Sequence, residues 1–90
     1  MTGKGVCMTM ETRVAVIAII IENENSVEQV NAILHEYSAG IIGRMGIPYR
    51  AKGINIISIA IDAPADDINT VAGKIGRLDG VSAKTVYSAV

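Results

Sequence analysis

Two apolar runs limit what this chain can fold into: Arg13–Glu22 (RVAVIAIIIE) and Gly53–Asp62 (GINIISIAID). Both are dominated by β-branched residues and bounded by charged or turn-forming ones. At about ten residues each they are too short to cross a bilayer as helices. A strand with apolar side chains on both pleat faces needs cover on both, so the pair reads as the central strands of one sheet. In the second run Ile57, Ile59 and Ile61 are bulkier than the residues between them. That assigns them to the helix-covered side and leaves Ile54, Ile56, Ser58 and Ala60 on the other. The same alternation turns Ile17, Ile19 and Ile21 inward and Val14, Val16, Ala18 and Ile20 outward.

The segments between these runs supply the remaining elements. Ser26-Val-Glu-Gln29 has the form of a capping box, and Val27, Val30, Leu34 and Tyr37 recur at helical spacing behind it. The helix is expected to end near Ser38–Gly40, with Gly40 in the left-handed region at C′. Ile41–Ile47 reads as a strand whose apolar set is Ile41, Met45 and Ile47; Gly43, Gly46 and Pro48 suit it to a sheet edge. Tyr49–Gly53 turns the chain into the third strand. Asp62–Asp67 (DAPADD) opens a second helix, with Pro64 in its first turn and Asp66 and Asp67 at the positive end of its dipole. Ile68, Val71, Ile75 and Leu78 form its buried stripe. Gly73 and Gly76 each cost about 1 kcal/mol relative to Ala inside a helix, which implies a neighbouring backbone packed close along that side. Asp79-Gly80 closes the helix, and Val81–Tyr87 is a half-polar last strand.

The order β-α-β-β-α-β defines an α+β chain of the split ferredoxin-like kind. Right-handed crossovers centre the two apolar strands, give a four-stranded antiparallel sheet of order 4-1-3-2, and place both helices on one face. Residues 11–90 form this one domain, behind a leader at residues 1–10. The face without helices, carrying Val14, Val16, Ala18, Ile20, Ile54, Ile56, Ser58 and Ala60, is too apolar to stand in water. Those eight residues are the expected interface of a homo-oligomer, a dimer or tetramer.

Composition narrows the chemistry. Half of the 90 residues are hydrophobic, with neither Phe nor Trp, so Ile, Val, Leu and Ala do the packing. A formal charge of −1 argues against direct nucleic-acid binding by this chain. Arg44, Arg50 and Lys52 cluster around a turn; an anion could use Arg44 and Arg50, but solubilising charge on an edge hairpin is the better account of them. The one cysteine, Cys7, rules out an intrachain disulfide. The leader lacks a signal-peptide pattern, so a cytoplasmic setting is expected, with no membrane association. The one histidine, His35, borders the buried stripe of the first helix and reads as structural or surface-exposed. No nucleophile–base pair, paired carboxylates, metal-ligand set or phosphate-cradling loop is present, so no enzyme, metal or cofactor is expected.

Three segments resemble a known family: Gln29–Ser38 (QVNAILHEYS), Ile42–Arg50 (IGRMGIPYR) and Gly73–Val86 (GKIGRLDGVSAKTV). They are similar to the small proteins described as iron-only hydrogenase system regulators. The combination of Asn31, Leu34, His35 and Ser38 with the Gly-Lys-Ile-Gly segment is the specific part, and the resemblance runs from about Arg13 to Val86. It implies an ACT-like ferredoxin fold similar to the C-terminal sensing domain of nickel-responsive repressors, oligomerisation, and a regulatory role as a ligand sensor or adaptor. The alternative is a structural interaction module without a small-molecule effector. In ACT-like domains the turn after the first strand often contributes to effector sites, which makes Glu22, Asn23, Glu24, Asn25 and Ser26 the candidate effector-binding residues. The repressors' nickel site uses several histidines and a cysteine of the folded domain. One histidine and a leader cysteine cannot assemble it here, and ten leader residues are too few for a DNA-binding segment.

Overall fold

A computed structural model of the chain describes residues 11–89. The expected leader, its Cys7, and Val90 lie outside the described residues. Six principal elements follow one another: β1 (Arg13–Ile21), α1 (Val27–Glu36), β2 (Ile41–Tyr49), β3 (Ile54–Ala63), α2 (Ala65–Gly76) and β4 (Val81–Tyr87). Short 3₁₀ turns at Glu24–Ser26, Ser38–Gly40 and Arg50–Lys52 join them. The strands make one sheet in the order β2-β3-β1-β4, every neighbouring pair antiparallel. This is the expected 4-1-3-2 order read from the other edge, with the two apolar runs at its centre.

The core lies between sheet and helices, and the sheet's share of it is mostly isoleucine. β1 contributes Ile17, Ile19 and Ile21 and β3 contributes Ile57, Ile59 and Ile61, all buried as the alternation predicts. Val30 and Leu34 of α1 and Ile68, Val71 and Ile75 of α2 close over them. Each such side chain stabilises the fold by about 1.5–3 kcal/mol relative to exposure. Tyr37, Leu78 and Tyr87 pack at the margin. Tyr87 faces the helices, and its hydroxyl donates to Asn69 Oδ1 at 2.7 Å, tying the last strand to α2. Between the helices, Lys74 Nζ donates to Tyr37 Oη at 3.3 Å and Glu36 Oε1 at 3.5 Å. The tyrosine hydrogen bond, followed by the glutamate charge, raises the Lys74 ammonium above its usual range despite some opposing desolvation.

Five local expectations are corrected. First, Ser26 does not form a capping box: the chain enters α1 through a 3₁₀ turn capped by Asn23, whose side chain accepts from the Asn25 N–H at 3.0 Å. Second, Gly40 is not left-handed but lies in a 3₁₀ turn. Its reason is steric: a Cβ there would stand 3.1 Å from Ala63 Cβ and 3.2 Å from the Asp62 carbonyl.

Third, the Ile41/Met45/Ile47 set is split by a bulge between Ile41 and Gly43. An extra residue reverses the pleat that follows it. Ile41 therefore stays on the helix side opposite Ile61, while Met45 and Ile47 pair with Ser58 and Ile56 on the open face. Fourth, no backbone packs closely on Gly73 or Gly76. A Cβ at Gly73 would meet nothing within 4 Å, and one at Gly76 only Ala83 Cβ at 4.0 Å. Pro64, expected in the first turn of α2, is its N-cap, since β3 runs on to Ala63.

Candidate functional site

Two regions bear on function: the turn between β1 and α1, and the sheet face opposite the helices. The turn is clasped to the loop that follows α2. The Glu22 N–H donates to the Gly80 carbonyl at 2.7 Å and Asn23 Nδ2 to Asp79 Oδ2 at 2.7 Å. The hydroxyl of Ser26, a residue only 2% exposed, donates to the Asp79 carbonyl at 2.6 Å. Gly80 makes the approach possible. It holds φ +70°, and a Cβ on it would come within 2.6 Å of Asn23 Cβ.

Of the five candidate effector residues, Asn23 and Ser26 thus each have Asp79 as a partner from within the chain, and the Asn25 N–H donates to Asn23 Oδ1. Glu22 and Glu24 are exposed. Glu24 faces an open cleft of about 430 Å³ shared with Tyr49, Arg50, Gly53 and Asn55 at the β2–β3 end. The acid and the base leave that cleft without a net charge of either sign.

The open face is built from rows across all four strands. Pairing aligns Ile47, Ile56, Ile20 and Ser82 in one row; Met45, Ser58, Ala18 and Lys84 in the next; Gly43, Ala60, Val16 and Val86 in a third. Tyr49 beside Ile54 and Val14 beside Asp62 lie beyond these at the ends. Val14, Val16, Ile20 and Ile56 are between 37% and 42% exposed, and Met45, Ile47, Tyr49 and Val86 more so. The expected interface residues therefore do share one surface, and all four strands widen it. The contributions of Met45, Ile47 and Tyr49 were hidden by the bulge, for which Gly43 was the one available signal. Val86 could have been found from the alternation of the last strand. Lys84 is the charged residue within the three rows, so the surface is close to neutral as well as apolar. Among the described residues no cluster of three or more His, Cys, Asp or Glu side chains could hold a metal. No helix among them is long and apolar enough to cross a membrane.

A four-stranded antiparallel sheet of this order with two helices on one face is a ferredoxin-like fold of the ACT-like kind. The ACT domain of the GTP pyrophosphokinase of Chlorobium tepidum has the same fold, with a TM-score of 0.72 at 19% identity over 83% of this chain and 99% of that one. A formyltetrahydrofolate deformylase from Pseudomonas putida KT2440 contains it too, with a TM-score of 0.61 at 13% identity over 81% of this chain and 28% of that one. The chain belongs to the TM1266-like family, described as "iron-only hydrogenase system regulator, putative", which matches residues 13–85. The uncharacterized protein TM1266 from Thermotoga maritima is 35% identical, with a TM-score of 0.82 over 86% of this chain and 98% of that one. No match is found among curated proteins.

Proposed function

We propose that this chain is a non-catalytic regulatory domain of an iron-only hydrogenase system that works as an oligomer, as a ligand sensor or an adaptor. The family match over residues 13–85 carries the reading. The oligomer is supported by the open sheet face. An apolar surface on the order of several hundred Å² is the size that marks an interaction site on a monomer. Its occupant is a second copy of the chain. The face is nearly uncharged, so two copies meet without charge repulsion. Its Ser58–Ala18 and Gly43–Ala60 pairs form a shallow middle beside the bulkier Ile47–Ile56–Ile20 row, which lets two faces related by a two-fold axis interlock.

The clasp supports the second reading, an interaction module without an effector at the β1–α1 turn, because Asn23 and Ser26 already have partners. Deleting the gene in a host that carries such a hydrogenase tests the regulatory role. Altered hydrogenase transcript or activity is expected; unchanged levels of both, under conditions that induce the enzyme, contradict it.

A further inference from the structure

The flank of α1 that overlooks β2 is not closed. Where β3 turns isoleucines toward the helices, β2 turns Arg44, Gly46 and Pro48, as their pairing opposite Ile59, Ile57 and Asn55 shows. The edge strand therefore supplies little apolar bulk beneath the helix. A groove of about 550 Å³ remains, lined by Asn31, Leu34, His35, Ser38, Ile41 and Arg44. Its apolar surface is Ile41, half-buried and packed against the core, with Leu34 buried beneath. Its rim carries an amide, an imidazole, a hydroxyl and a guanidinium.

Arg44 is the one permanently charged group in this lining. Its Nη2 donates to Asn31 Oδ1, a neutral partner that positions the guanidinium without neutralising it. Among the described residues the one ion pair joins Lys74 and Glu36, so Arg44 keeps both its charge and most of its donors. Asn31, His35 and Ser38 are exposed, so the polar rim of the groove stands open to solvent.

We propose that this groove binds a small organic carboxylate, its head on the Arg44 guanidinium and its aliphatic stem on Ile41. A guanidinium offers parallel N–H donors matched to a planar carboxylate. A single fixed positive charge suits a monoanion, and the apolar surface calls for a stem that inorganic anions lack. The proposal names the effector class for the sensing form of the regulatory role. Direct binding tests it separately from gene deletion, so either can fail without the other.

The experiment is an NMR titration of the ¹⁵N-labelled full chain with sodium butyrate, with sodium phosphate and sodium chloride run in parallel. Butyrate should give saturable shifts at the amides of Asn31, His35, Ser38 and Arg44. Arg44→Gln should weaken this binding about ten- to hundredfold, the range for losing a charge-assisted hydrogen bond, while Arg50→Gln leaves it unchanged. The spectrum of each variant reports its folding directly. Lack of saturation at about 50 mM butyrate, well past the millimolar range of weak ligands, overturns the proposal. So does equal binding by Arg44→Gln, or phosphate binding as tightly as butyrate at the same amides.

Discussion

Gly80 and Gly53 separate two reasons for a glycine. Both have positive φ, +70° and +64°. A Cβ at Gly53 meets nothing within 4 Å, so Gly53→Ala should cost only the backbone strain, about 1 kcal/mol. A Cβ at Gly80 falls 2.6 Å from Asn23 Cβ and 3.0 Å from its N, within the clasp that holds the β1–α1 turn. Gly80→Ala should therefore lose the strain plus an overpacking cost, about 2–4 kcal/mol in all. Urea melts of the two variants compare them; equal losses would mean the clasp yields freely. This contact is between residues far apart in sequence, which is why Asp79-Gly80 reads from sequence only as a helix stop. The Ser26 motif misleads for the same reason: its hydroxyl has a better acceptor in Asp79, brought up by the fold, than the local backbone N–H that a capping box would supply.

At the scale of elements, the glycines of the helices and turns order differently from their propensities. Gly73 sits inside α2 with open space beyond it, so Gly73→Ala should stabilise by about 0.5–1 kcal/mol. Gly40 sits against Ala63 and the Asp62 carbonyl, neither of which is a flexible side-chain end, so Gly40→Ala should destabilise by about 1–3 kcal/mol. Thermal melts giving both variants the same sign of shift would contradict this packing. The sheet was legible because period-two patterning in β1 and β3 is strong: each isoleucine assigned inward there is buried. The helices were legible through Val30, Leu34, Ile68, Val71 and Ile75. β2 was legible as an edge from Gly43, Gly46 and Pro48, but its facing was not, because one bulged residue inverts the alternation and leaves no mark beyond a glycine. The groove under α1 depends on that same inversion, since it is what brings Arg44 beneath Asn31.

For the whole molecule, a sequence charge of −1 and a sheet face carrying Lys84 in its rows do not form a basic surface. In a gel shift at physiological salt the chain should show no sequence-dependent retention of duplex DNA, and salt-resistant, sequence-dependent retention would contradict this. Regulation would then pass through a partner or through assembly, which places most weight on the open face. Ala18 is the probe for that face. It is exposed at the centre of the middle row, flanked by Ser58 and Lys84, so Ala18→Glu disturbs no core contact and gains an opposite charge across the strands. A carboxylate there would have to be desolvated if a second face covered it. Sedimentation velocity of the full chain and of Ala18→Glu, with circular dichroism confirming that both are folded, is the direct test. The wild-type chain should sediment as a dimer or tetramer at micromolar concentration and the variant as a monomer. A wild-type monomer throughout that range, or a variant that keeps the wild-type mass, would contradict assembly through the open face.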